Sequence, residues 1–296
     1  MPTISKISTV AIGSIGKIFG ITKSSVGKFL GVAPPASCTA HSCKSIEFDG
    51  SNDYIETGYE FLNQNKTFSV WAKRTSTGHN DYMLSDINSS NYGFLFGTFS
   101  TTGFKFMFGE SSSGENDYWG HQANNIGFTD GTGWHHCVLC ISYGEDEEGT
   151  PTVNSFQNAT VSAYLDGSLV WGGGSEGTAW KTGAAPNKKV GSTTPLTLRI
   201  ARGDSSNYFP GHLDDIAVWD DVLTDDEVTA IYNSGVPIDL TSNSGNYTSS
   251  GDLEFYLKMG DGDTYPTITD HGSEREDGTM TNMTSGDIVT DVPTGG

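Results

Sequence analysis

The chain has 296 residues, 38 of them glycine, with 18% charged residues, 11% aromatic residues and a formal net charge of −20. So acidic a protein repels a nucleic-acid backbone or an anionic membrane surface, partners that are held by clustered Lys and Arg, and no nucleic-acid partner is expected. No uninterrupted apolar stretch approaches the ~20 residues of a membrane helix, so no membrane insertion is expected. The abundance of Gly, Ser, Thr and Asn argues against a helical bundle.

The first 32 residues hold one phrase three times, from Ile4, Ile15 and Val26 at a spacing of eleven, each opening apolar-x-Lys-apolar. Lys6, Lys17, Lys23 and Lys28 interrupt the apolar residues throughout, whereas a secretory signal concentrates its charge ahead of one apolar stretch. Apolar residues recur every three or four positions, Gly20 and Gly31 sit where helix C-caps place glycine, and Ser8, Thr9 and Thr22 are N-cap candidates. Two short helices are predicted. Helices this short do not persist alone in water, and Ile15, Ile18, Phe19, Phe29 and Leu30 populate both faces. The segment reads as an anchor that is buried against another subunit or a larger assembly; packing on the chain's own sandwich is the alternative. Pro34 and Pro35 form a stiff hinge, which divides the chain into an anchor over residues 1–35 and a main domain over 36–296.

Cys38, His41 and Cys43 group in a polar turn, where a bridge or a metal is open, although a zinc site lacks a fourth ligand. From Ser45 the period changes to two: SIEFDGSNDYIE alternates Ile46 and Phe48 with polar neighbours, turns through Asp49 to Asp53 and resumes at Tyr54. TFSVWAKR, GFLFGTF, FKFMFGE, WHHCVLCISY, ATVSAYLDG, LTLRIAR and HLDDIAVW follow between turn residues. The fold class is all-β, an antiparallel sandwich. Cys137 and Cys140, three apart on one strand, point to opposite faces and read as core thiols. LTDDEVTAIYNSG supplies one helix, with Thr224 as N-cap, Glu227 as capping-box partner and Gly235 after the last turn.

The phrases IEFDGSNDYIE, FSVWAKR, GWHHCVLCIS, VSAYLDGSLV and GHLDDIAVWDDVLTDDEVTAIYNSG, in this order from about Ser45 to Gly235, resemble the laminin-G-like jelly roll of the concanavalin A-like lectin and glucanase superfamily. DLEFYLKMGDG, ITDHGSE and GTMTNM resemble a phrase that ordinarily precedes the FDG strand of that family. The resemblance implies a circular permutation, in which residues 252–289 complete the sandwich as a displaced strand segment; a truncated second repeat is the alternative. The amino-terminal phrase is similar to the Lys-Ile-x-Gly repeats that open many structural proteins of marine bacteriophages.

Four residue sets carry candidate chemistry. Asp49, Asn52 and Asp53 crowd oxygen ligands into one loop, and Asp214 is expected to share a face with Ile216 and Val218 and so to need a buried partner. Calcium is the candidate ion, and the resemblance implies calcium near this position; ordinary hairpin chemistry with backbone amides on Asp214 is the alternative. Tyr118, Trp119 and His121 in a long loop, with Trp171 and Trp180 in a Gly-rich stretch, are the ligand-stacking candidates. Glycoside hydrolysis needs two fixed carboxylates; the Glu-x-Asp-x-x-Glu strand pattern of the glucanases is absent, Glu145 to Glu148 form a solvated run, and His135 and His136 have no accompanying nucleophile. Arg202, Gly203 and Asp204 spell an adhesion tripeptide that three residues match too easily by chance.

The sequence thus reads as a non-enzymatic phage virion protein, a capsid decoration or tail component on the virion surface. It would contact other virion proteins through its amino-terminal segment, stand as a homo-oligomer on the particle and present a lectin-like domain to a host surface glycan. A secreted or cell-surface carbohydrate-binding adhesin is the alternative, and a polysaccharide-degrading enzyme is the third reading.

Overall fold

In a computed structural model of the chain, the residues described are 17–18, 21–22, 41–61, 65–76, 81–86, 93–99, 103–112, 115–123, 133–142, 160–175, 181–182, 196–203 and 207–294. The chain divides into two compact units, Met1–Thr39 and Ala40–Gly296. In the first, Lys17–Ile18 (β1) pairs antiparallel with Ile21–Thr22 (β2). This pair stands where the first helix is predicted. Ile18, Ile21 and Thr22 are β-branched and favour extended backbone, which outweighs an apolar spacing too short to nucleate a helix. The second predicted helix, the Pro34–Pro35 hinge, the side chain of Ile18 and the residues Ile15, Phe19, Phe29 and Leu30 lie outside the described residues.

The second unit opens with Ser45–Asp49 (β3), Tyr54–Phe61 (β4), Lys66–Arg74 (β5), Tyr82–Ser85 (β6) and Gly93–Phe99 (β7). Gly103–Ser112 (β8), Glu115–Ala123 (β9), His135–Ser142 (β10), Thr160–Leu165 (β11) and Ser168–Ser175 (β12) follow. Lys181–Thr182 (β13), Leu196–Ile200 (β14), Pro210–Trp219 (β15) and the helix Asp225–Tyr232 (α1) precede Leu253–Leu257 (β16), Thr267–Ile268 (β17), Gly278–Thr281 (β18) and Ile288–Val289 (β19). One sheet runs β12-β11-β10-β5-β15-β3-β19, with β16 also on β15; the other runs β13-β9-β8-β7-β6-β14-β4-β18-β17. All pairings among the described residues are antiparallel.

The core between the sheets follows from period-two patterning. Strand β4 alternates buried and exposed residues along its length, and Ile55, Tyr59 and Phe61 join Phe48, Phe68, Val70 and Phe94 inside. Phe68 stacks on Phe94 at 4.5 Å between ring centroids, and Phe61 meets both edge-on. Strand β5 is buried on both faces, because a second apolar cluster covers the outside of its sheet. There Val138, Cys140, Tyr164, Ala217, Trp219 and Tyr256 pack under Val228 and Ile231 of α1 and under Leu240 and Tyr247. Cys137 belongs to the inner cluster and Cys140 to the outer one, as residues of opposite parity on one strand must.

The carboxyl-terminal segment lies inside this sandwich. Strand β16 pairs with β15, β18 with β4 and β19 with β3. Phe255 and Leu257 are fully buried. Glu254, at the start of β16, is held from two sides: Tyr59 Oη and Lys66 Nζ each donate to its Oε2 at 2.7 Å. Lys66 also donates to Asp220 at 2.6 Å. Truncating the chain after Ser250 removes the buried Leu253, Phe255 and Leu257, about 5–9 kcal/mol of apolar burial against a total stability of about 5–15 kcal/mol. The expected product is insoluble or unfolded, read by soluble yield and by loss of the cooperative unfolding transition.

Helix α1 begins as its sequence dictates, with Thr224 accepting from the Glu227 amide and the Glu227 side chain accepting from the Thr224 amide. Its end differs from expectation: Asn233, with φ of 45°, takes the left-handed position, two residues before Gly235. Asn tolerates that conformation better than other side chains. Glu227 also accepts from the Thr248 amide, the Thr248 hydroxyl and the Ser249 hydroxyl at 2.7–3.1 Å. Burial alone would raise its pKa, but these bonds outweigh it and hold the group at about 2. A depressed carboxylate stabilises the fold above its unfolded pKa, near 4.5, and loses that contribution as pH falls toward 2. Glu227→Gln is therefore expected to cost on the order of 3 kcal/mol at pH 7 and little at pH 2, as read by denaturant titration at the two pH values.

Candidate functional site

Strand β15 lies inside its sheet, between β5 on one side and β3 and β16 on the other, and is broken by a bulge. Along one side it pairs with β5 throughout, with a register shift between Asp214 and Ala217. Along the other side, Pro210 to Leu213 pair with β3, and Ile216 to Trp219 pair with β16. Asp215 takes a φ of 41° at this change of partner, a left-handed conformation that Asp accepts more readily than most side chains. The bulge breaks the alternation on which Asp214 was expected to share a face with Ile216. Leu213 and Ile216, three apart, both enter the core cluster, and Asp214 does not.

Asp214 is fully buried and faces the chain that leads into β3. Ser42 Oγ donates to its Oδ2 at 2.7 Å, and the Asp215 amide donates to its Oδ1 at 2.9 Å. Tyr256 Oη donates to Asp215 Oδ1 at 2.5 Å, and His41 Nε2 lies 2.7 Å from that Tyr256 hydroxyl and 3.1 Å from the same Asp215 oxygen. Asp261 accepts from the amides of Cys43 and Lys44. Burial and the adjacent Asp215 push Asp214 well above the usual carboxylate range, with the Ser42 and Asp215 hydrogen bonds opposing only in part. Cys43 is disulfide-bonded, which removes its thiolate from metal chemistry; Cys38 lies outside the described residues.

The loop after β3 is a separate place. Asp49 is opposite Pro210, so Asp214, four residues on, is about 13 Å away along the strand. Asp49 Oδ1 accepts from the amides of Ser51 and Asn52, and Asp53 Oδ2 accepts from the amide of Asp49. Asn52 gives its carbonyl to Asn282 Nδ2 at 2.9 Å. The set Asp49, Asn52, Asp53 and Asp214 therefore does not converge on one ion. Among the described residues no group of three or more His, Cys, Asp or Glu side chains is arranged to hold a metal.

Next to this loop the fold assembles a rim that sequence reading missed. Tyr54, at the start of β4, lies 6.5 Å from the Tyr208 ring, and the Arg202 guanidinium sits 4.4 Å over the Tyr54 ring. All three side chains are half-buried. Arg202 thus works as a cation on an aromatic face. Its adhesion tripeptide is incidental. Nothing in the spacing of the three residues announces that β4 and the chain after β14 bring them together.

The stacking candidates divide. Residues Tyr118, Trp119 and His121 belong to strand β9 and not to a loop; Trp119 is opposite Lys181 and Tyr118 opposite Thr182. The polar, Gly-flanked composition suggested a loop, and pairing with β8 along its whole length overrides it. Their side chains, and Trp180, lie outside the described residues. Trp171 is on β12, where it packs against the core with its ring 5.4 Å from Phe106. His136 is buried, its Nε2 lies 2.8 Å from Ser69 Oγ, and its ring stacks on Trp71. Burial lowers its pKa to about 3, with Asp166 opposing weakly, so it is neutral. His135 Nδ1 lies 2.7 Å from Asp166.

Residues 49–229 match the Laminin_G_3 family of the concanavalin A-like lectin/glucanases superfamily, and the chain belongs to that family. No curated protein matches the sequence. Among solved structures, a candidate carbohydrate binding protein from Bacteroides ovatus is similar at a TM-score of 0.52 and 15% identity, over 88% of this chain and 63% of that one. The chain thus spans less than two thirds of that protein. The CBM40 of Ruminococcus gnavus IT-sialidase bound to α2,3-sialyllactose is similar at a TM-score of 0.43 and 16% identity, over 64% of this chain and 96% of that one. A native heptameric SAP-like pentraxin from Limulus polyphemus is similar at 0.41 and 15%, over 82% and 97%. At these identities the likenesses show the fold alone.

The state of Asp214 is open to test. Its native pKa is raised, so the folded protein keeps a proton that the unfolded chain releases near pH 4; stability contributed by that proton is full below this pH and is lost as pH rises. Asp214→Asn is expected to flatten the decline in stability between pH 4 and 8 and to leave the protein at least as stable at pH 8. Denaturant midpoints across that range measure it, and an unchanged slope would refute the assignment.

Proposed function

We propose that the protein is a non-enzymatic virion component of a bacteriophage, a lectin-like module that binds a host surface glycan and is held on the particle by its amino-terminal segment. The observation that carries this reading is the division of the chain. The unit Met1–Thr39 contains the threefold repeat, and a second compact unit, Ala40–Gly296, contains the lectin-type sandwich. Binding is favoured over catalysis because Asp214, Asp215 and His136 are each bonded to a structural partner: Asp214 to Ser42, Asp215 to Tyr256, His136 to Ser69.

The disulfide at Cys43 suits an oxidising surface location, which a virion surface shares with the alternative, a secreted or cell-surface carbohydrate-binding adhesin. The repeat supports the virion reading, and its removal tests it. Deleting residues 1–35 is expected to leave a folded chain that binds the same glycans on an array as the full chain but no longer enters particles. Normal incorporation of the truncated chain would overturn the anchor, and absence of any array signal from the full chain would overturn the glycan reading.

A further inference from the structure

A groove of about 380 Å³ runs between α1 and the chain that follows it. Asp226, Thr229 and Asn233 line one wall, at positions that share one helix face. Ser244 and Asn246 line the other, and Ala230 and Ile238 give the groove an apolar portion. We infer that this groove is a saccharide site that takes a neutral oligosaccharide; the inference rests on the glycan-binding reading and assigns it a place.

Both walls are fixed before any ligand arrives. Ser244 and Tyr247 exchange backbone hydrogen bonds at 3.0 Å, closing the turn that carries Asn246. Tyr247 is fully buried, donates to the Leu240 carbonyl and accepts from Trp219 Nε1. Glu227, next to Asp226 on the helix, draws in Thr248 and Ser249 beyond the turn. One buried carboxylate therefore caps the helix and also clamps the opposite wall to it. Such preorganisation lowers the ordering cost of binding.

The chemistry of the lining selects the ligand class. Among the described residues, the side chains of Asp226, Ser244 and Asn246 make no hydrogen bond, and Asn233 spends only its Nδ2, on the Val236 carbonyl at 3.1 Å, leaving Oδ1 to accept. The groove thus offers a carboxylate, two amides and a hydroxyl, a mixture that matches sugar hydroxyls, which donate and accept together. Asp226 sits beside Asp225 and Glu227 in the first turn, and no cation lines the groove. Carboxylated sugars are repelled. The methyl groups of Ala230 and Ile238 face the C–H side of a pyranose ring, and the volume falls within the range of about 300–1,000 Å³ typical of ligand sites.

The test uses the full chain with neutral di- to tetrasaccharides and sialylated trisaccharides, read by isothermal titration and by backbone amide NMR shifts. A neutral sugar is expected to bind, with shifts concentrated between residues 226 and 246. Asp226→Asn and Asn246→Ala, each confirmed to melt like the parent, are each expected to weaken it roughly tenfold or more. If a variant melts early, the shift map of the parent decides. Neutral-sugar binding with shifts elsewhere and undiminished affinity in both variants overturns the groove while leaving the glycan reading intact. Binding of sialylated sugars alone also overturns the groove. Binding of no sugar at all overturns both.

Discussion

Strand β15 holds two different neighbours along one side, because its ladder passes from β3 to β16 at the bulge around Asp214 and Asp215. Much of the main sheet depends on that junction. Strands β3 and β16 come from opposite ends of the unit, and each is short, five residues. Neither could cover the whole length of β15. Where they meet end to end, the approaching and departing chains would leave unpaired backbone groups beside a buried strand, a cost that folded proteins do not leave unmet. Two carboxylates take backbone amides there: Asp214 takes the amide of Asp215, and Asp261 ties the amides of Cys43 and Lys44 to the chain that leaves β16. Side-chain hydroxyls complete the set, with Ser42 donating to Asp214 and Tyr256 to Asp215. Adjacent buried carboxylates repel each other, so the junction is stable only with this surrounding set of donors and with one acid held toward its neutral form.

The outer face of the same sheet is closed by a second device. Without α1 and the chain around Tyr247, the outward side chains of Val138, Tyr164, Ala217 and Trp219 would form an exposed apolar patch. Glu227 fixes this cover with bonds to both the helix start and the later chain. A single carboxylate at that position sets the spacing of two elements, and the groove between them inherits its geometry from a structural bond rather than from the ligand. The site is placed on rigid elements, and its precision follows from theirs.

What could be read from the sequence is what local chemistry dictates. The alternation in SIEFDGSNDYIE gives β3 and β4, and T-x-x-E gives the helix start with both bonds of the capping box. The opposite parity of Cys137 and Cys140 gives their two clusters. Readings failed where a long-range contact overrode a local rule. Asp214 was assigned a face by counting in twos, and the bulge inserts a residue that resets the count. Residues 115–123 carry loop-like composition, yet nine paired positions with β8 make them a strand. The Tyr54, Tyr208 and Arg202 rim draws on segments about 150 residues apart and has no local signature at all. Asp226 belongs to the same class: as a first-turn acid it reads as a helix-dipole partner, and only the return of the chain at Ser244 to Asn246 makes it one wall of a groove.

Charge links these features to the kind of partner the protein can meet. A formal charge of −20 disfavours anionic surfaces at long range, but screening over about 8 Å at physiological salt confines that effect to close approach. Within that distance the described acids are mostly committed: Asp49 and Asp53 to turn amides, Asp220 and Glu254 to Lys66, Asp291 to Lys73 and Trp134. Acids spent on internal bonds add stability but little recognition. Asp226 differs, since it is exposed and makes no internal bond among the described residues. An uncommitted acid beside amides and a hydroxyl presents acceptors that hydroxyl-rich ligands satisfy, and it does so without a positive group that would invite a phosphate, a sulfate or a sialic acid. On the site proposed above, this surface acidity would favour neutral sugars over anionic ones.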